Sequence, residues 1–194
     1  LGDVYKRQDD ATMISPEASQ EMAAITQTTT FDQDAITSAD PFDDWEDIWD
    51  CLEQLCGATA DGYTIGFWKN NIRKALQGQT NGVQVDSATL ADLVDRIANF
   101  ASPEVFGGID LEGAYEYLNS NSNDPLDLLL KQLIAAEFNG YYGAYINGSA
   151  YITYYVFTDA EDIVVNIDDY TDEQILFIKD WLDAYNNSHG EPFY

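Results

Sequence analysis

The chain has 194 residues, and its 35 acidic side chains against eight Lys and Arg give a formal net charge of −27. Because nucleic acids and anionic membranes bind basic surfaces, a charge this negative excludes both as default partners. It attracts cations, so the composition allows Ca²⁺ binding and predicts no other cofactor. Hydrophobic residues make up 45% of the chain, enough for one well-buried core, and no apolar run approaches the roughly twenty residues of a membrane span.

The N-terminal region differs from the rest of the chain. Asp3-Val-Tyr-Lys-Arg-Gln8 resembles the translation of a sequencing adapter, so residues 1–8 are interpreted as a library artefact. Their net charge is +1, which leaves −28 on the remainder. Residues 9–40 are small and polar and are predicted to form an extended or disordered arm. We favour a flexible linker for the arm, and the alternative is that residues 23–31, which have enough β propensity, pair with a sheet edge.

Helical periodicity recurs along residues 41–194 and predicts a mainly α fold in a single compact multi-helix domain. Asp40-Pro41 and Asp124-Pro125 each place a capping carboxylate before a proline at the first helical position. Thr171 and Gln174 form a capping box for the last helix. The helix after Pro125 is expected to be the central core helix, because it carries the strongest apolar stripe: Leu126, Leu129, Leu130, Leu133, Ile134 and Phe138.

The segment 141–165 gives conflicting signals. Asn147-Gly148 between β-prone residues is typical of a β-hairpin turn. Against this, Ser149 can cap a helix with Ile152, Val156 and Ile163 on one side, and we favour the helix.

Elsewhere, Ser87 is expected to cap one helix, and Gly113 is expected to interrupt another that begins at Asp110.

The least generic stretch is Gly62-Tyr-Thr-Ile-Gly-Phe-Trp-Lys-Asn-Asn71. Its two glycines allow backbone angles that other residues avoid, and its aromatic pair can turn inward where a helix begins. Lys69, Arg73 and Lys74 bring together half of the six cations in residues 9–194. Two explanations stay open: these cations pair internally with an acidic helix at residues 43–50, or they present a docking point for an acidic partner.

This stretch resembles a motif of secreted bacterial surface proteins, in which a Cys and a spacer precede Thr-x-Gly-Tyr-Trp-Lys-Asn-His. Two further matches follow, a Gln-Leu-Ile-Ala-Ala helix at residues 130–139 and Leu-Asp-Ala-Tyr-Asn-Asn at 182–187. This chain has a longer spacer after Cys56, an expanded segment at 99–110, and Phe67, Asn71 and Glu137 where the family has Tyr, His and Lys. The resemblance implies a fold and an extracellular or cell-surface location. The candidate partner-docking residues are Gly66, Phe67, Trp68, Lys69, Asn70, Arg73 and Lys74.

Candidate covalent sites are few. Cys51 and Cys56 allow a disulfide only if the helix ends between them, since five residues apart on an unbroken helix the side chains point away from each other; two free thiols are the alternative. Asn147 and Asn186 begin glycosylation triplets. His189 is the single histidine, which disfavours a zinc site and most catalytic triads, and no metal site can be assigned.

The residue types and motifs of the sequence predict that the protein is not an enzyme. Nucleophile-elbow, phosphate-loop, dinucleotide and zinc-protease patterns are absent, and 35 acidic residues make close carboxylate pairs uninformative. We expect a non-catalytic extracellular structural or adhesive module that self-associates into a surface coat, matrix or filament, or binds cell-surface components. The alternative is a polysaccharide-binding module, suggested by 26 aromatic residues, 13 of them Tyr. A secreted hydrolase ranks third.

Overall fold

The computed structural model of the chain describes residues 52, 55, 57–189 and 192–193. The chain divides into two units, Leu1–Asp43 and Asp44–Tyr194, and all of the described residues belong to the second. The predicted arm at 9–40, nearly all of the predicted first helix and both cysteines lie outside the described residues. The predictions on them, including the disulfide, therefore remain predictions.

The described part is mainly α, as predicted. It contains seven α-helices: α1 (Ile65–Leu76), α2 (Ser87–Arg96), α3 (Pro103–Phe106), α4 (Leu111–Asn119), α5 (Pro125–Tyr141), α6 (Ala150–Val165) and α7 (Asp172–Asn186). A π-helical turn, Ile97–Ala101, follows α2, and 3-10 turns at Ile146–Gly148 and Ile167–Asp169 flank α6. Two short strands, β1 (Ala58–Thr59) and β2 (Pro192–Phe193), pair antiparallel with Ala58 opposite Phe193. Within these residues no helix is both long and apolar enough to cross a membrane.

Helix α5 is the centre of the core, and this prediction is confirmed. It packs against α7, α6, α4 and α1, and all residues from 132 to 139 are buried. In the predicted stripe, Leu129, Leu133, Ile134 and Phe138 are buried, while Leu126 and Leu130 are half-buried. A helix surrounded on every side must also bury polar residues, here Gln132, Glu137 and Asn139.

The helix starts follow local capping chemistry. An Asp124 carboxylate oxygen accepts a hydrogen bond from Leu126 N at 3.0 Å, and Thr171 and Gln174 form the predicted capping box. Residues 150–165 are helical, which confirms the helix over the hairpin, and Ser149 Oγ accepts from Ile152 N at 3.3 Å. Asn147 instead adopts a left-handed conformation (φ 49°) within a 3-10 turn.

Two expected helix details are wrong. Asp86, not Ser87, caps α2, because its Oδ1 accepts from the backbone N–H groups of Ala88 and Thr89 at 3.0 and 2.9 Å. A carboxylate also interacts more favourably than a hydroxyl with the positive end of a helix. Gly113 does not interrupt α4, since its N–H donates to the capping carboxylate of Asp110 at 2.9 Å.

Candidate functional site

The three segments that carry the family resemblance meet at one buried side chain, Asn139. Its Oδ1 accepts hydrogen bonds from Trp68 Nε1 at 2.9 Å and from the backbone N of Tyr63 at 2.8 Å. Its Nδ2 donates to the backbone O of Tyr63 and to Asn186 Oδ1, both at 2.9 Å. All four hydrogen-bonding positions of the carboxamide are therefore used, and Asn139 is fully buried.

The same network continues through α7. Asn186 Nδ2 donates to the backbone O and to Oε1 of Gln132, both at 2.9 Å, and Gln132 Nε2 donates to Asp183 Oδ1 at 2.8 Å. We call Trp68, Gln132, Asn139 and Asn186 the amide network. These motif residues use their polar groups in hydrogen bonds inside the protein, so the motif stabilises the fold. Of the two predicted glycosylation sites, Asn186 is buried and donates both amide hydrogens, whereas Asn147 is exposed, and glycosylation of either stays a prediction.

Gly62 has a different role from the one expected. Neither it nor Gly66 has a positive φ, so neither supplies an unusual backbone angle. A Cβ on Gly62 would lie 2.1 Å from the carbonyl O of Tyr185. Its N–H donates to Ser188 Oγ at 3.1 Å, and that hydroxyl donates to the backbone O of Ala60 at 2.9 Å. Gly62 is therefore required for the close approach of this segment to the end of α7.

Asn71, which replaces the family's His, is a structural residue here. It is 2% exposed. Its Oδ1 accepts from the backbone N–H groups of Gln84 and Val85 at 2.9 and 3.2 Å, and its Nδ2 donates to the backbone O of Phe67 at 2.9 Å. An amide supplies both donor and acceptor for the connection between α1 and α2, so this position carries no acid–base chemistry in the folded chain.

The predicted docking residues differ in how far they are exposed to solvent. Trp68 is fully buried and stacks on Phe138 with ring centroids 5.1 Å apart. The polar residues that follow it are half-buried (Lys69, Lys74) or exposed (Asn70, Arg73). Within the described residues no carboxylate lies within 4 Å of the three cations. Residues 43–50 lie outside that part, so internal pairing and docking both remain predictions.

A second polar cluster, which the sequence analysis did not predict, joins α5 to α6. Glu137 lies on α5, Glu161 on α6 and Ser102 just before α3. Ser102 Oγ is 3.2 Å from Glu137 Oε1 and also forms a hydrogen bond with Glu161 Oε1. One hydroxyl has only one proton to donate, so a proton on one carboxyl group would allow two full hydrogen bonds here. We call Glu137 and Glu161 the carboxyl pair.

Burial and mutual repulsion favour the protonated form of the carboxyl pair. Burial raises the pKa of Glu137 well above its usual range, and the neighbouring charge of Glu161 raises it further. Burial also raises the pKa of Glu161, with a smaller contribution from the charge of Glu104. Glu137 is 2% exposed, whereas Glu161 is half-buried. The pair therefore meets solvent through Glu161.

The carboxyl pair lies at the wall of a cleft of about 310 Å³ between α5 and α6. Other parts of the wall come from Arg96, Gly140, Thr153 and Phe157. We call this space the tyrosine cleft, after three wall residues whose rings are exposed, Tyr141, Tyr145 and Tyr154. Tyr154 is the most exposed of the three, at 59%.

Local sequence explains why the carboxyl pair forms. A Cβ on Gly140 would lie 2.9 Å from the Phe157 ring, so the glycine lets α6 approach the end of α5 closely. The π-helical turn at Ile97–Ala101 ends in a hydrogen bond from Ser102 N to Ile97 O at 3.0 Å, which places Ser102 beside both helices. The one sign of this cluster in the sequence is Glu137, which stands where the resembled family has Lys.

No protein family, curated protein or solved structure matches this chain. The likeness to secreted surface proteins therefore stays a resemblance.

Both carboxyl groups of the pair contact the same hydroxyl, Ser102 Oγ, and Glu137 is almost completely buried, so a ligand in the cleft would meet the pair mainly through Glu161. Among the described residues no three His, Cys, Asp or Glu side chains converge as a metal site would require.

Replacing Glu137 by Gln is expected to stabilise the protein at neutral pH by roughly 1–3 kcal/mol, the usual cost of an imperfectly compensated buried polar group. A carboxyl group whose pKa is raised by folding stabilises the fold fully below its ordinary pKa of 4.5, and that stabilisation is lost as the pH rises through the raised value. Urea unfolding at pH 5 and pH 8 measures the difference.

The matched control for this prediction is Glu116→Gln, which removes one charge at an exposed position of α4. It corrects for the general self-repulsion of a chain with a net charge of −27. An equal gain at pH 8 in both variants would show that the buried pair has no special effect.

Proposed function

We propose that this chain is a non-catalytic extracellular adhesive module that binds its ligand in the tyrosine cleft. The cleft carries the proposal, since it combines exposed tyrosine rings with buried polar groups in a volume at the lower end of the ligand-pocket range of about 300–1,000 Å³. The extracellular location is supported by the family resemblance.

The absence of catalysis is part of the proposal and is supported by how the polar residues are used. Trp68, Asn139 and Asn186 bond to one another, and Asn71 bonds to backbone groups. Glu137 faces Ser102 and Glu161 with almost no exposure. Self-assembly into a coat or filament remains part of the broader proposal, with the basic residues Lys69 and Arg73 as a candidate contact.

A polysaccharide ligand is the second candidate, and the exposed Tyr154 ring is the observation that favours it. A sugar ring stacks on an exposed aromatic face, and carboxyl groups accept hydrogen bonds from sugar hydroxyls. This candidate uses the same cleft, so one experiment can address both.

The test is a nuclear magnetic resonance titration of the chain from residue 9 onward with N-acetylglucosamine, pentylamine and pentan-1-ol. We expect at least one probe to shift the amide resonances of α6 and of the end of α5, with a Kd of about 1–10 mM, as ligands this small can achieve. Binding should be lost in Ala150→Trp, because Ala150 lines the cleft and a tryptophan there fills it.

Ala88→Trp is the matched control for the blocking variant. Ala88 is likewise an exposed alanine in the first turn of a helix, and it lies on α2 away from the cleft wall. The proposal fails if none of the probes shifts cleft resonances, or if Ala150→Trp binds them as well as Ala88→Trp does.

A further inference from the structure

We infer that the tyrosine cleft binds a primary ammonium group, carried either by a free alkylamine or by the lysine side chain of a partner. This inference rests on the proposed function, because it names the ligand class of the same cleft. It stands on two properties of the cleft wall: a carboxyl pair with no basic side chain within 4 Å among the described residues, and exposed aromatic rings.

The cleft wall offers acceptors in the carboxyl pair and donors in Arg96 and the tyrosine hydroxyls. The single proton of Ser102 Oγ is already shared with the carboxyl pair. Thr153 Oγ1 donates to the backbone O of Ser149 at 2.8 Å and accepts from Ile146 N at 2.8 Å, so its proton is also used. An ammonium group has three donors and no acceptor, so in this cleft it would bond to the acceptors, chiefly the carboxyl pair.

The charged and titratable groups around the carboxyl pair leave it without a cation. Within the described residues no Lys or Arg lies within 4 Å of Glu137 or Glu161. Arg96, the one basic residue of the wall, pairs with Asp92 at 2.9 Å, with both side chains more than half exposed. The other groups that interact with the pair are neutral or acidic: Glu104, Tyr141 and Tyr185. The net charge of −27 adds a long-range attraction for cations.

The exposed rings and the size of the cleft select an organic cation. Tyr141, Tyr145 and Tyr154 can offer aromatic faces to an ammonium group, which interacts favourably with a ring within about 6 Å of its centroid. The apolar wall at Ala150 and Phe157 suits the alkyl chain that carries the charge. A cleft of about 310 Å³ has room for such a chain.

The experiment compares pentylamine, Nα-acetyl-lysine methylamide and the neutral pentan-1-ol, titrated at pH 5 and pH 8 and followed through the amide resonances of α6. We expect the two ammonium probes to bind at least tenfold more tightly than the alcohol at pH 8. Their binding should weaken at pH 5, because protons then compete for the carboxyl pair, whereas alcohol binding should not change. Binding of pentylamine alone supports a free amine as ligand, and binding of both ammonium probes supports a partner's lysine.

Glu161→Gln is expected to reduce ammonium affinity about tenfold, whereas Glu116→Gln, which removes a charge away from the cleft, should change it less than twofold. Tyr154→Leu should weaken ammonium binding with little effect on the alcohol.

The inference fails if N-acetylglucosamine or pentan-1-ol binds the cleft and the ammonium probes bind no better, a result that leaves the proposed binding function intact. If no probe binds the cleft, both fail.

Discussion

Replacing Asn139 by Leu is expected to lower the free energy of unfolding by about 2–6 kcal/mol. Leucine has a similar volume, so the loss comes from hydrogen bonds. The indole N–H of Trp68 and the Oδ1 of Asn186 would lose a buried partner, and the part-buried backbone N–H and C=O of Tyr63 would also lose theirs. Each unsatisfied buried group costs about 1–3 kcal/mol.

Such a loss is a large part of the roughly 5–15 kcal/mol that stabilises a typical domain. Urea unfolding followed by circular dichroism measures it, and the matched control is Asn70→Leu. Asn70 has the same side chain, is exposed on α1, and should tolerate the change to within about 0.5 kcal/mol. A loss below about 1 kcal/mol in the Asn139 variant would contradict the role assigned to the amide network.

Replacing Gly62 by Ala is expected to cost about 1–3 kcal/mol, because the added methyl collides with backbone. The Tyr185 carbonyl oxygen would lie 2.1 Å and its carbon 3.1 Å from the new Cβ. The segment can relieve this contact by moving away from α7, and that movement breaks the bonds from Gly62 N to Ser188 Oγ and from His189 N to Gly62 O.

Gly66→Ala is the matched control in the same ten-residue stretch. Its new Cβ would meet Thr64 Oγ1 at 3.6 Å, an ordinary contact, within α1. Alanine is favoured over glycine in a helix by about 0.8–1.0 kcal/mol, so this variant should be stabilised. Thermal unfolding of the two variants should therefore move in opposite directions. Two shifts of the same sign would show that close approach is not the reason for Gly62.

The helical fold could be predicted because its determinants are local. Asp124 before Pro125, the capping box at Thr171 and the stripe on α5 each depend on residues within a few positions of one another. Even the ambiguous segment was resolved correctly by Ser149, whose hydroxyl caps α6. The wrong cap at Ser87 was a choice between adjacent polar residues that both commonly cap helices, whereas the expected roles of Gly113 and Gly62 failed because composition does not report the local backbone path.

The two polar clusters could not be predicted in this way. Asn139 bonds to residues 47 to 76 positions away, and periodicity reports where apolar side chains lie without identifying the partners of buried amides. Glu137 stood out as a departure from the family pattern, but its partner Glu161 was one acid among 35. Both clusters depend on the packing of α5 against α1, α6 and α7.

The contacts of Gly62 and Ser188 also bear on the order in which the protein can fold. Ser188 bonds to residues 126 and 128 positions earlier in the chain, and Asn186 completes the bonding of Asn139. During synthesis, α1 and α5 are therefore made before the residues that complete their hydrogen bonding. Trp68 can already bond to Asn139 once α5 has been made, whereas Asn139 Nδ2 and Gly62 N gain Asn186 and Ser188 as partners only after α7 has been added.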